Sequence, residues 1–116
     1  MAQLEMYEAI ANSPHTTLVN SIDETQTEII VLDASVLPNA PNLLVIGYDK
    51  DNAETCLYTN IIGNTITIQR ATEGIASSFD ADTKIARVFT AKDYNSLVRN
   101  IKDLNTQQIA MSIALS

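Results

Sequence analysis

Tryptophan is absent from these 116 residues, and aromatics as a whole make up only 5%. The core therefore has to be aliphatic, built on Ile, Leu and Val. A sugar-binding surface, which usually presents exposed rings, has only four Tyr and two Phe to draw on. Glycine is scarce too. Gly47, Gly63 and Gly74 are the three, too few for a glycine-rich phosphate loop. The one cysteine, Cys56, has no intrachain disulfide partner, which fits synthesis in a reducing cytoplasm. Its mid-strand position suits a small buried hydrophobe better than a reactive thiol. The one histidine, His15, follows Pro14 in an expected loop, and its ordinary reading is an exposed loop residue. No Gly-x-Ser-x-Gly nucleophile motif accompanies it. One His and one Cys do not complete a four-ligand zinc site without carboxylates. No catalytic, metal or cofactor-binding residue is therefore expected.

Bases are in short supply: seven Lys and Arg against fourteen Asp and Glu give a net charge of −7. The imbalance is local. Residues 1–50 carry Glu5, Glu8, Asp23, Glu24, Glu28, Asp33 and Asp49 against Lys50 alone. Phosphate contacts need Lys and Arg, so nucleic acid is not an expected partner. The ordinary role of such charge is solubility; the sharper one is an acidic face meeting a basic partner. No window approaches the roughly 20 apolar residues of a membrane helix. No basic segment precedes an apolar stretch, so neither a signal peptide nor a membrane partner is expected.

What the chain does have is concentrated between Thr27 and Arg70. Glu28–Leu32 is a short β-branched run that reads as a strand covered on both faces. The stiff Pro38-Asn39-Ala40-Pro41-Asn42 loop separates it from a second run, Leu43–Tyr48. Gly47 inside that run suggests a bulge or a close backbone approach. After the polar turn Asp49-Lys50-Asp51-Asn52, the run Ala53–Thr59 alternates, with Glu54, Cys56 and Tyr58 on one face and Thr55 and Leu57 on the other. Gly63-Asn64 turns the chain into Thr65–Arg70, with Ile66 and Ile68 on the core face. Tight turns between the last three runs predict an antiparallel meander.

The acidic turn after Asp49 does not match a calcium loop. The sixth position would be Glu54 rather than Gly, and the twelfth Asn60 rather than Glu. Glu54 and Arg70 lie on runs that a meander brings side by side, which predicts a salt bridge rather than an active site.

Outside this block, residues 1–11 spell a short helix with Leu4, Tyr7 and Ala11 near one face. It ends at Asn12-Ser13-Pro14. So short a helix is marginal in water, so this segment reads as an arm awaiting another surface. Thr16–Ile22 is a weak strand candidate. Ala71–Thr83 reads as a loop anchored by Ile75 and Phe79, and Lys84–Phe89 as the last strand. Thr90 and Asp93 start a helix over roughly 91–104. Its Tyr94, Leu97, Val98, Ile101 and Leu104 follow helical spacing, which predicts a face docked on the β body or on a partner helix. Ile109, Met111, Ile113 and Leu115 in the uncapped tail are expected to be covered by a neighbour or to continue the helix into an oligomer.

Six segments in order resemble a small virion module of tailed phages, found alone or at the start of tail-fibre and baseplate proteins. They are NSPHTTL (12–18), Thr27-x-Ile29-x-Val31-x-Asp33-Ala34-Ser35-Val36-Leu37-Pro38, APNLLVIG (40–47), NAETCLYT (52–59), GNTITIQR (63–70) and ARVFTAKDYNSLVRNI (86–101). Where that family commonly has Thr-Arg-Gly followed by Gly-Thr, this chain has Gln69-Arg70-Ala71-Thr72-Glu73-Gly74 and loses a glycine. The resemblance implies a virion location after synthesis in a bacterial host, and no catalytic residue comes with it.

The expectation is a mainly β, antiparallel sandwich or barrel-like domain (12–90). A short N-terminal arm (1–11) precedes it, and a C-terminal α-helix with an apolar tail (91–116) follows. The expected role is structural and non-enzymatic, in a tail, baseplate or fibre attachment, with contacts to other virion proteins and to copies of itself. The expected contact residues are Leu4, Tyr7, Ile109, Met111, Ile113 and Leu115. The alternatives are a capsid decoration protein and a small carbohydrate-binding or hydrolase module.

Overall fold

The computed structural model describes residues 4–115, with side chains described through residue 104. Six strands precede one helix: β1 (His15–Thr17), β2 (Glu28–Ile30), β3 (Asn42–Ile46), β4 (Glu54–Ile62), β5 (Thr65–Glu73), β6 (Lys84–Ala86) and α1 (Ala91–Leu115). A 3-10 turn, Ala34–Val36, follows β2. The chain divides into two units. Tyr7–Val88 holds all six strands, and α1 groups with residues 4–6.

Within the first unit the strands form one antiparallel sheet, in the order β1-β6-β3-β4-β5-β2, curled into a half-barrel. The chain is thus mainly β with a C-terminal helix, and β3, β4 and β5 form the expected meander. β1 and β2, far apart in that order, are linked just beyond their ends. Leu18 bridges Val31, and Val19 N–H donates to Ile30 O while Leu32 N–H donates to Thr17 O. Backbone groups near both sheet edges are satisfied in this way, leaving less open edge for other chains to pair with.

Alternation and burial explain the core. Glu54, Cys56 and Tyr58 are fully buried on one face of β4, and Ile66 and Ile68 face inward from β5. They pack with Leu18, Ile29, Leu44, Ile46, Phe79 and Ile85, among others. β3 is buried along its whole length, as a central strand covered on both faces should be. β2 is different. Ile29 and Val31 are buried, but Ile30 and Leu32 are exposed, so the expected two-sided cover is wrong. Near the sheet edge only one face has a core to pack against.

Two glycines earn their places through backbone geometry. Gly63, with φ +60°, opens the two-residue turn that pairs Ile62 with Thr65, as a type II′ hairpin requires. Gly47, with φ +67°, lies just past β3 and begins the turn into β4 rather than forming a bulge. A Cβ there would stand 3.2 Å from the Phe79 ring.

Several local expectations are corrected. Residues 4–10 form no helix. Asn12 and Ser13 take positive φ values and turn the chain into β1. His15 is on β1, paired opposite Ala86, not in a loop. Phe79 is buried, but Ile75 is 81% exposed: the loop is anchored by polar bonds near Ser77 (below), which leave Ile75 outside.

α1 begins with a capping box. Asp93 N–H donates to Thr90 Oγ1 (3.1 Å), and Thr90 N–H donates to Asp93 Oδ2 (3.0 Å). The helix runs through Asn105-Thr106 to Leu115, well past the expected end at 104. Its buried residues are the polar Asp93, Ser96 and Asn100, while Tyr94, Leu97, Ile101 and Leu104 are 42–57% exposed. The apolar stripe read from the spacing is thus an exposed side of the helix, and a polar side is the buried one. Hydrogen bonding selects the polar side instead: Asn100 Oδ1 accepts from Leu4 N–H (2.7 Å) and Asn100 Nδ2 donates to Leu4 O (3.1 Å).

These assignments predict a clean contrast. Ile66→Val, deleting a methyl at a fully buried site, should cost about 0.5–1.5 kcal/mol. Ile62→Val, at an exposed site on the neighbouring strand, should stay within about 0.5 kcal/mol of wild type. Urea midpoints of the two variants provide the check.

Candidate functional site

Glu54 and Arg70 form a buried ion pair. Strand alternation puts Glu54 on the inward face of β4, in line with Cys56 and Tyr58. The same alternation puts Arg70 on the inward face of β5, in line with Ile66 and Ile68. Their side chains are 0% and 8% exposed. Arg70 grips the carboxylate with two parallel bonds, Nε to Oε2 and Nη2 to Oε1, each 2.8 Å, the strongest geometry such a pair has.

Every other hydrogen-bonding position of the pair is also committed. Glu54 accepts from Ala71 N–H (2.8 Å), Ser77 N–H (3.0 Å) and the Cys56 thiol (3.3 Å). The remaining Arg70 N–H groups donate to Asp23 O, Gln26 O and Ser77 O at 2.6–3.0 Å. All five donors of the guanidinium are thus used. Burial pushes the Glu54 pKa up, but the Arg70, Ala71, Ser77 and Cys56 donors outweigh it and hold the carboxyl below its usual range. The hydrogen bond and charge of Glu54 raise Arg70 in turn, against its burial. Burial pushes the Cys56 thiol up to about 12, with the Glu54 charge adding to it. The thiol therefore stays protonated at neutral pH. A carboxylate held ionised beneath five donors is a structural anchor, not a poised acid or base.

The backbone around the pair is irregular. β4 and β5 lose register between Leu57↔Gln69 and Thr55↔Glu73, a bulge on β5 spanning residues 70–72. Ala71 sits at φ +54°. That left-handed conformation is costly for any residue with a Cβ. Thr72 Oγ1 fills part of the gap by accepting from Leu57 N–H (3.1 Å).

A second buried arginine was not legible in the sequence. Arg87 is 1% exposed. It donates from Nε to Glu8 O, from Nη2 to Tyr7 O and from Nη1 to Val88 O. Asn42 Nδ2 also donates to Glu8 O (2.8 Å). Tyr7, expected as a contact residue, is half-buried with its carbonyl held in this way. Leu4, the other such arm residue, is 40% exposed, with its backbone clamped by Asn100. Ile109, Met111, Ile113 and Leu115 are on α1, but their side chains lie outside the described residues.

His15 is exposed on β1 and is not brought to this cluster. The turn after Asp49 opens onto a cleft shared with Asp80, Asp82 and Lys84. Among the described residues no three His, Cys, Asp or Glu side chains gather as a metal site would require, and no helix is long and apolar enough to cross a membrane. No protein-family model and no curated protein sequence matches the chain.

Three outcomes follow. Breaking a buried pair by removing one partner costs about 3–5 kcal/mol, so Glu54→Gln should lower stability by that order at neutral pH. Because the Glu54 pKa is lowered on folding, its contribution is present above the unfolded value near 4.5 and is lost as pH falls through the folded one. Wild type should therefore lose stability on acidification below about pH 4.5, and Glu54→Gln should show a shallower slope there in chemical denaturation. Ala71→Gly removes the Cβ penalty at a positive φ. It should raise stability by about 0.5–1 kcal/mol, readable as a higher urea midpoint.

Proposed function

We propose that this chain is a non-enzymatic structural protein of a phage or phage-tail-like particle, at the tail, the baseplate or a fibre attachment. It works through contacts with other virion proteins and with copies of itself. The observation that carries this reading is the ordered resemblance of six segments across residues 12–104. The placement of those segments supports it. Glu54 and Arg70 come from two of the six, the Gly63-Asn64 turn opens one, and the Thr90–Asp93 capping box lies in another. The resembling residues are thus those that build the frame, which is what a shared scaffold requires. The chemistry-bearing side chains point the same way, since Glu54, Cys56 and Arg70 are spent on holding backbone. The exposed apolar stripe of α1 supplies surface suited to subunit contact.

The test is to purify intact particles by density gradient and locate the protein with antibody in electron micrographs. We expect it to co-purify in fixed proportion, with label at the tail end. Label on the head would replace the tail position with capsid decoration. Absence from particles would overturn the reading, as would turnover of peptidoglycan, polysaccharide or ester substrates that His15→Ala abolishes.

A further inference from the structure

We propose that α1 is a self-association helix, through which copies of this chain pack in parallel along a heptad seam. The exposed residues Tyr94, Leu97, Ile101 and Leu104 are spaced three, four and three apart. In sequence the spacing continues as four, three and four, through Gln108, Met111 and Leu115. That is a strict 3.5-residue period over three heptads. A straight helix drifts about 20° per heptad from such a pattern, so sustaining it serves helices that supercoil around one another. At 25 residues, α1 is about 37 Å long, ample for such a seam.

Within its own unit the described part of the seam, Tyr94 to Leu104, is exposed. A surface helix of a globular protein buries its apolar stripe and exposes its polar one. Among its described side chains, through residue 104, α1 does the reverse: Asp93, Ser96 and Asn100 are buried, Asp93 in its cap with Thr90 and Asn100 in its clamp on Leu4. These bonds fix the rotation of the helix within its unit and hold the heptad stripe outward.

Charge identifies the occupant as a second copy. With Tyr94 as an a position, the seam is flanked by Val98 and Asn105 at e and by Asp93, Asn100 and Gln107 at g, and the one charge among them, Asp93, is held in its cap with Thr90. Lys92, Arg99, Lys102 and Asp103 fall at outer b, c and f positions. Partner choice in coiled coils is set by charges at e and g, and in a parallel pair the g position of Asp93 meets the uncharged e position of Val98 in the second copy, so no like charges face each other. The chain carries −7 overall, yet α1 has Lys92, Arg99 and Lys102 against Asp93 and Asp103, a net of +1. It is therefore a place where like-charged copies meet with little repulsion. Gln108 sets the direction. Parallel pairing puts it opposite its own counterpart, amide to amide. A centre-matched antiparallel pairing puts it opposite Leu97, where a buried amide lacks a partner. This inference deepens the contact between copies named in the proposed function and rests on that part of it, while the location in a particle is tested separately.

Sedimentation equilibrium of the full-length chain tests it. Wild type should sediment as an oligomer at micromolar concentration. Ile101→Asp, a charge on the seam, should run at the monomer mass while keeping the hydrogen-exchange protection of β3, β4 and β5. Arg99→Glu, at an outer position, should remain oligomeric. Leu104→Cys should form a disulfide-linked dimer on mild oxidation, since Cys56 is buried and its thiol stays protonated. A monomeric wild type, or an Ile101→Asp variant that stays oligomeric, overturns the proposal. Failure of Leu104→Cys to cross-link overturns the parallel arrangement.

Discussion

The buried ion pair between Glu54 and Arg70 is the contact on which the most separate parts of the β unit depend. Taking two charges out of water costs several kcal/mol per ion, and a well-packed apolar substitute often does as well. Here an apolar substitute would fail for a specific reason. The pair satisfies five backbone groups: the N–H of Ala71 and of Ser77, and the carbonyls of Asp23, Gln26 and Ser77. Each buried backbone group left without a partner costs about 1–3 kcal/mol. Exchanging the pair for hydrocarbon would thus leave several such groups unsatisfied. In this setting the ion pair is the stabilising choice, because its partners are mostly main chain rather than side chain.

The β5 bulge belongs to the same arrangement. Alternation alone puts Arg70 inward, beyond Ile66 and Ile68. It does not aim the next N–H at a carboxylate on the neighbouring strand. Setting Ala71 at φ +54° does so. The left-handed alanine is a local cost of about 1–2 kcal/mol, offset by a charge-assisted bond from its own N–H. The conformation is kept because the Glu54 oxygens hold it from the other side.

The alternation of β4 and β5, the Gly63-Asn64 hairpin and the Thr90–Asp93 cap were legible in the sequence, because each is a local pattern. Phe79 was legible as an anchor for the same reason that Ile75 was not. Hydropathy says that a residue prefers burial, and only the bonds at Ser77 decide which part of the loop goes in. The helix shows the limit most clearly. Spacing identified the apolar stripe Tyr94, Leu97, Val98, Ile101 and Leu104, but an amphipathic pattern does not say which side its own chain covers. That was settled by Asn100, whose partner is a main-chain group 96 residues away. Arg87 and Asn42 were missed likewise, since their partners are carbonyls of Tyr7 and Glu8, and carbonyls leave no mark in a sequence.

A shared device underlies these cases. Three of the six strands are only three residues long, and long stretches between strands have no regular structure. Such stretches must find partners for their backbone groups outside a ladder. Arg70 serves residues 23–26 and 77, Arg87 and Asn42 serve residues 7 and 8, and Asn100 serves residue 4. Asn64 accepts from Ala34 N–H and donates to Leu32 O, holding the start of the 3-10 turn. The aliphatic core and these polar clamps therefore do different work. Trimming the core lowers the stability of the sheet as a whole. Removing one clamp releases a particular segment, a local opening of the kind that occurs well below the free energy of global unfolding. The clamps are what give irregular segments a single conformation.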